Sequence, residues 1–152
     1  MDLYEIPKTA ALLEQKIRTM TPEQAWWFET LKRGVLPWGI DEPNTCSTRK
    51  LFNRYVCHAD VQGTRRKSIE TTIGMFLHRS IGPDLVVLQK KQCKLRGRYN
   101  QEFTDTGQAY VFPSLRECRE RFANQIGQEV IWGDDADWRH EPKVAEDEDE
   151  FL

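Results

Sequence analysis

Few of the residue groupings that build small chemical sites occur in this 152-residue chain. The four cysteines, Cys46, Cys57, Cys93 and Cys118, are scattered with no Cys-x-x-Cys pair. A disulfide framework or a zinc knuckle needs ligands paired at short spacing, so both are disfavoured. Cys57-His58 with Cys46 and Cys93 is the combination nearest to a metal set, and buried reduced thiols are the expected state instead. The three histidines, His58, His78 and His140, fall on separate segments. There is no Gly-x-x-x-x-Gly-Lys-Ser/Thr phosphate loop, no Gly-x-Ser-x-Gly elbow and no His-Glu-x-x-His helix, so neither an enzyme activity nor a cofactor is expected of this chain. No apolar run approaches the roughly 18 to 20 residues of a membrane span, and Met1-Asp2-Leu3-Tyr4-Glu5 lacks a basic start leading into an apolar signal segment. The expectation is a cytoplasmic protein without membrane contact.

What is present is a strong division of charge. The whole chain carries a net charge of -2, which conceals three unlike parts. Residues 1–48 are net -2, residues 49–100 are net +9 with twelve Lys/Arg against Asp60, Glu70 and Asp84, and residues 101–152 are net -9. A basic block of this kind attracts polyanions, while an acidic end repels them or competes for the same face. At 39% hydrophobic residues the chain can bury one modest core.

Helical signals come first along the chain. A helix is expected from Thr9 as N-cap through Ile17, with Leu13 and Ile17 on one face. A second opens on Thr21-Pro22 with Gln24 three residues after the cap, the pattern of a capping box, and stops at Gly34. In it Trp26 and Trp27 are expected to pack inward, joining the first two helices to the rest. Two prolines and a glycine make residues 35–46 a loop. A third helix, capped by Thr45 or Ser47, turns Leu51, Phe52, Tyr55, Val56 and Ala59 inward and leaves Arg49, Lys50, Asn53 and Arg54 outside. After Gly63, Ser68 is expected to cap a fourth helix in which Ile69, Ile73, Phe76 and Leu77 are buried and Glu70, Thr71, Thr72, Met75, His78 and Arg79 face outward. Gly82-Pro83 ends it.

Beyond Pro83 the period changes to that of a strand. Leu85 to Lys91 reads as one arm of a hairpin and Ala109 to Phe112 as its return, with a basic stretch from Gln92 to Asn100 and a polar tip near Thr104-Asp105-Thr106-Gly107 between them. A fifth helix starts at Ser114 with Glu117 completing a capping box, buries Leu115, Cys118, Phe122 and Ile126, and closes at Gly127. Val130-Ile131-Trp132 is expected to pack back. From Gly133 onward nine of twenty residues are acidic, and such a segment buries too little apolar surface to offset its ordering. The fold class expected is α+β, mostly helical: residues 1–46 as an N-terminal helical segment and loop, 47–133 as a winged helix-turn-helix, and 134–152 as a disordered acidic tail.

In a helix-turn-helix pair the second helix presents its outer residues to base edges and neighbouring Lys/Arg hold phosphates. Thr71, Thr72, Met75 and Arg79 are then the candidate base contacts. Arg65, Arg66 and Lys67, just ahead of that helix, are candidate phosphate contacts. Lys90, Lys91, Lys94, Arg96 and Arg98 would line the wing, with Tyr99 available to stack on an unpaired base. Thr and Met do not make the bidentate pairs by which Arg reads guanine or Asn reads adenine, so contact through shape and phosphates is expected over sequence readout. The partner implied is DNA, single-stranded or duplex. A protein-interaction or docking module is the other class that such a basic face serves, as is a small phage regulatory protein borrowing the fold.

The order of segments, Thr9-Ala-Ala-Leu-Leu-Glu-Gln-Lys, Trp26-Trp27-Phe28-Glu29-Thr30-Leu31-Lys32-Arg33-Gly34, Leu51-Phe52-Asn53-Arg54-Tyr55, Gly63-Thr64-Arg65-Arg66-Lys67-Ser68 and Tyr110-Val111-Phe112-Pro113-Ser114-Leu115-Arg116-Glu117, closing on Ile131-Trp132, resembles the carboxy-terminal region of phage and prophage primase-helicase proteins. Those are superfamily 3 helicases of the AAA+ class. The resemblance spans roughly residues 8 to 133 and leaves the acidic tail outside. It implies a winged-helix domain that accompanies a replicative helicase or primase motor in DNA replication. The ATPase motifs of that motor are absent from this sequence, so the resemblance implies a fragment of such a protein or a separate companion to it.

Overall fold

The computed structural model describes residues 5–96, 99 and 101–142, and the side chains of 5–10, 96 and 103 are left aside. It is an α+β structure. Among the described residues five α-helices, α1 (Glu5–Thr19), α2 (Pro22–Arg33), α3 (Thr48–Val61), α4 (Glu70–Ile81) and α5 (Leu115–Ile126), combine with five strands, β1 (Val35–Leu36), β2 (Thr45–Ser47), β3 (Val86–Arg96), β4 (Glu102–Val111) and β5 (Arg139–His140). Antiparallel pairing gives one sheet the order β2-β4-β3, while β1 and β5 form a separate parallel pair.

Local chemistry sets the helix limits. Thr21 accepts from the Gln24 amide at 3.2 Å while the Gln24 side chain accepts from the Thr21 amide at 3.1 Å, so two orphan donors of α2 are satisfied reciprocally. Gly34 closes α2 in the left-handed region, at φ 65°. Ser47 caps α3, and Ser114 caps α5 by accepting from the Glu117 amide at 3.2 Å. The first helix begins at Glu5, so Thr9 lies within it and does not cap it. Leu12 and Ile17 stay 44% and 40% exposed, and the expected inward face of α1 is not buried at Ile17.

One core joins the remaining elements. Trp26, Trp27, Phe28 and Leu31 of α2 lie against Leu51 and Tyr55 of α3, Ile73 and Leu77 of α4, Phe112, and Phe122 of α5. Trp27 sits 5.5 Å from Phe112 and 6.1 Å from Trp138 between ring centres, and Phe112 and Trp138 are 5.7 Å apart. Such offset aromatic contacts add roughly 0.5 to 1.5 kcal/mol each beyond the area they bury. The tryptophan pair of α2 is therefore packing material. The position expected to divide an N-terminal segment from the rest, 46/47, falls inside β2, whose Thr45, Cys46 and Ser47 pair with Val111, Tyr110 and Ala109.

Residues 134–142 depart from the disorder that their composition suggests. Trp138 is 4% exposed and its Nε1 donates to the Pro113 carbonyl at 3.0 Å. Arg139 and His140 pair with Val35 and Leu36. Arg119, itself 4% exposed, donates through Nε to Leu31 O at 3.0 Å and through NH2 to Lys32 O at 3.3 Å, while NH1 meets Asp134 Oδ1 at 3.0 Å. One guanidinium thus satisfies two carbonyls at the end of α2 and fixes the segment that follows α5. That bond holds the Asp134 carboxyl below the usual carboxylate range. Arg54 of α3 binds Glu141 through both carboxylate oxygens. Residues 143–152, the remainder of the expected tail, lie outside the described residues.

Candidate nucleic-acid interface

Between α3 and α4 the chain doubles back along α3. The Thr64 amide donates to Ala59 O at 2.9 Å, Lys67 pairs with Asp60 at 2.7 Å, and the Ser68 amide donates to Tyr55 Oη at 2.9 Å. The Ser68 hydroxyl is taken by Glu23 of α2, so Ser68 does not cap α4. Ile69 occupies the cap position without a side-chain bond and is 66% exposed, contrary to the burial expected of it. Arg65 and Arg66 project from this turn into solvent, and neither makes an ion pair among the described residues.

The fourth helix presents a clean division. Ile73, Phe76, Leu77, Ser80 and Ile81 face the core, and Thr71, Thr72, Met75, His78 and Arg79 are exposed together on the opposite side. At about 100° per residue these five span one contiguous outer face. Thr72 and Arg79 border a groove shared with Glu23, Gln24 and Gln125. Glu70, at the start of the helix, points the other way, toward Thr48 Oγ1 at 3.5 Å. Gly74 brings α4 close to the sheet, because a β-carbon there would stand 3.0 Å from Tyr110 Oη. Burial pushes the Tyr110 hydroxyl up to about 12.

The hairpin is longer than its apolar ends suggested. Thr104, Asp105, Thr106 and Gly107, expected at its tip, are strand residues that pair with Lys94, Cys93, Gln92 and Lys91. The connection lies within residues 97–101, where Tyr99 is 88% exposed. Arg98 lies outside the described residues, and Arg96 is placed here only as the last residue of β3, opposite Glu102. An irregularity between Leu88 and Lys91 resets the alternation. Beyond it Gln92 and Lys94 are exposed, as is Lys90 within the irregular stretch, while Lys91, Cys93 and Leu95 are more buried. Lys91 is consequently separated from the basic face. Its Nζ meets Glu42 at 3.0 Å, a bond that draws the Glu42 carboxyl below its ordinary range.

A buried lysine anchors this hairpin. Lys50, expected outside α3, is 4% exposed. Its Nζ donates to Trp38 O at 2.8 Å and Lys94 O at 3.0 Å, and stands 3.9 Å from the centre of the Trp38 ring. The Lys94 amide donates in turn to Gly39 O at 2.8 Å. Gly39 has φ +125°, and a β-carbon there would come within 2.7 Å of Cys93 Sγ and 2.8 Å of Lys94 O, so a side chain is excluded by both strain and space. The Trp38-Gly39 loop thereby holds β3 against the first turn of α3.

That arrangement opens a cleft of about 420 Å³ lined by Thr48, Arg49 and Asn53 of α3, Glu70 of α4, and Lys91, Asp105 and Gln108 of the hairpin. The opening lies between the first turn of α3 and the middle of the hairpin, with Glu70 its lining residue from α4. Exposed Arg49 at its edge was not among the residues expected to act. Its place in the first turn of α3, two residues after the capping Ser47, was the available signal. Among the expected contacts, Thr71, Thr72, Met75 and Arg79 come together on α4, Arg65 and Arg66 stand before it, and Lys90 and Lys94 are exposed on the hairpin. Lys67 and Lys91 are each engaged with an acid.

Three of the four cysteines are buried and Cys57 is exposed. Burial raises the Cys46 thiol far above its ordinary value and the Cys118 thiol to about 12. Among the described residues no group of three or more His, Cys, Asp or Glu side chains could hold a metal ion, and no helix is long and apolar enough to cross a membrane. Comparisons with protein-family models, with curated proteins and with solved structures each return no match.

Proposed function

We propose that this chain is a nucleic-acid-binding domain of the winged helix-turn-helix type, in which α3 and α4 form the helix pair and the β3–β4 hairpin is the wing. The order α2-β2-α3-α4-β3-β4 with strands arranged β2-β4-β3 supports that reading, since a hairpin beside the second helix is what turns a helix pair into a winged one. The observation that carries the functional part is the disposition of charge. Arg65, Arg66, Arg79, Lys90 and Lys94 are exposed and free of ion pairs among the described residues, while the nearby acids Asp60 and Glu42 are held by Lys67 and Lys91.

Contact runs mainly through phosphates. The outer face of α4 offers two threonines, a methionine and His78, which form no bidentate base pairing, and Arg79 as the one side chain there able to pair with a guanine edge. Arg65 and Arg66 sit where flanking cations meet the backbone, and Lys90 and Lys94 extend that contact along the wing. Tyr99, at 88% exposure, is available to stack on an unpaired base. The partner is DNA, and the setting is the one the sequence resemblance implies, an accessory domain beside a replicative primase-helicase motor. Exposed Val61, Ile69 and Met75 favour a second use of the same side, docking of that motor.

A fluorescence titration with short single-stranded and duplex DNA, comparing the chain with its Arg65→Ala/Arg66→Ala variant at several salt concentrations, tests the proposal. Binding tighter than about 100 μM near physiological salt, weakened in the variant, is the expected outcome. No binding of either DNA overturns it.

A further inference from the structure

We infer that the open edge of β4 at Thr104, Thr106 and Gln108 takes an extended segment of a partner protein as a further strand, with an apolar residue opposite Gly107 and a basic one opposite Asp105. The lane for that strand is left by β2. That strand stops at Ser47, opposite Ala109, whereas β4 runs from Glu102. Among the described residues no strand covers the β2 side of β4 from Thr104 to Gln108, and all five of these residues are exposed.

Backbone groups of successive residues point alternately to the two sides of a strand. The Phe112 amide donates toward the β2 side, to Asn44 O at 2.9 Å. The irregularity of the hairpin places its extra residue in β3, because Leu88 and Lys91 stand opposite Ala109 and Gly107. The alternation of β4 is therefore unbroken, and Thr104, Thr106 and Gln108 turn their N–H and C=O groups into the lane. In keeping with that direction, the Thr106 amide donates to Asp105 Oδ1 at 2.9 Å. The other edge of the hairpin is closed at Lys94, whose N–H meets Gly39 O at 2.8 Å and whose carbonyl accepts from Lys50 at 3.0 Å. An open row of main-chain donors and acceptors is the template on which an extended peptide adds.

Side chains set the kind of segment. The cleft of about 420 Å³ runs beside this lane, where Asp105 to Gln108 meet Cys93, Leu95 and the first turn of α3. A strand antiparallel to β4, the pairing of the whole sheet, starts beside Ser47 and passes Gln108, Gly107, Thr106, Asp105 and Thr104 in turn. Asp105 pairs with Cys93, and residues directly opposite share a face, so the incoming residues opposite Gly107 and Asp105 turn toward Cys93 and the cleft. A β-carbon on Gly107 would meet nothing within 4 Å, which leaves room for a large apolar side chain across from it. Asp105 makes no ion pair among the described residues and favours Lys or Arg across from it. Of the other charged groups lining the cleft, Lys50 is held by two carbonyls, Lys91 by Glu42 and Glu70 by the Thr48 hydroxyl, and Arg49 follows the closed end at Ser47.

The test titrates acetyl-Thr-Val-Thr-Lys-Thr-amide into the full chain and follows backbone amides by nuclear magnetic resonance. Saturable shifts are expected at Thr104, Thr106 and Gln108. Methylating the peptide nitrogen of the third residue, which would bond Thr106 O, should weaken binding about 10-fold or more, while methylating that of the second, which points away from β4, should leave it near the parent. Replacing the peptide lysine by glutamine should weaken binding about 2- to 5-fold, and Asp105→Asn in the protein should remove that difference. No shift at the three edge residues, or equal weakening by the two methyl groups, overturns the added strand. A lysine preference that survives in Asp105→Asn overturns the charge assignment. Edge shifts that follow protein concentration without peptide, with a dimer in sedimentation, give the lane to a second copy and overturn the partner segment.

Discussion

Replacing Trp138 by alanine should cost about 4 kcal/mol of stability, in the range observed for removing a fully buried aromatic side chain. The indole is 4% exposed, stacks at 5.7 Å and 6.1 Å from Phe112 and Trp27, and gives its Nε1–H to Pro113 O at 3.0 Å. Loss of that bond leaves the part-buried Pro113 carbonyl with only the weak Cys118 thiol at 3.7 Å as a donor, which accounts for about 1 kcal/mol of the total. The rest is transfer free energy and the cavity opened between α2, α5 and the strand pair β1–β5. For a domain of this size 4 kcal/mol corresponds to a fall in Tm of roughly 8 to 16 °C. Thermal unfolding followed by far-ultraviolet circular dichroism, with a denaturant series to extract the free energy, measures it. Glu129→Gln, at an exposed position, serves as the comparison and should change stability by less than about 0.5 kcal/mol. A Trp138→Ala variant within about 1 kcal/mol of the parent, the size of an average substitution, would refute the claim that residues 134–142 are part of the core.

Other outcomes follow from the same bonds. Lys50→Met should destabilise by about 2 to 4 kcal/mol in denaturant unfolding, because the carbonyls of Trp38 and Lys94 both lose a charged donor; an unchanged midpoint would show that the loop does not hold the hairpin. Gly39→Ala should cost about 2 kcal/mol or more, since the added carbon meets Cys93 Sγ and Lys94 O, and the same unfolding experiment reads it. A colorimetric thiol reagent near pH 8 should modify Cys57 promptly and the three buried cysteines only on unfolding. The Cys118 thiol titrates at about 12 in the fold against 9.0 for a free thiol. Because the folded value is raised, its contribution to stability is fully present below pH 9 and is lost as pH rises from 9 toward 12. Denaturant midpoints taken from pH 8 to 10.5 should decline, and because burial raises the Cys46 thiol as well, Cys118→Ala should lessen that decline without abolishing it.

Helix ends were readable because they depend on neighbours in sequence. The Thr21-Gln24 box, the left-handed Gly34 and Gly127, and the Ser114 cap all rest on bonds spanning three or four residues. The apolar stripe of α4 was equally legible at Ile73, Phe76 and Leu77. What misled were features decided by distant partners. Lys50 reads as solvent-facing, and it is buried because Trp38 O and Lys94 O, far along the chain, converge on the first turn of α3. The hairpin continues through polar residues such as Gln92 and Thr106, since backbone pairing needs no apolar side chain on the outward face, and a tip placed by composition falls too late. Acidic residues masked Trp138, whose buried indole, together with the Arg119–Asp134 and Arg54–Glu141 pairs, fixes residues 134–142 although Asp134, Asp135, Asp137 and Glu141 mark them as unstructured. Within the candidate interface, the outer face of α4 and Arg65-Arg66 were legible from period and position. The diversion of Lys91 to Glu42 was not, because it depends on a shift in register within β3.

The central claim is that the face built from α4, its preceding turn and the wing holds nucleic acid through phosphates. Its most direct measure is the salt dependence of DNA affinity for the parent and for Arg65→Ala/Arg66→Ala, with Lys90→Ala/Lys94→Ala as a second pair. The account predicts a straight fall of log affinity with log salt whose slope drops by about 1.4 to 1.8 in each double variant, the value expected when two phosphates are no longer neutralised. Affinity and slope identical in parent and both variants would contradict it.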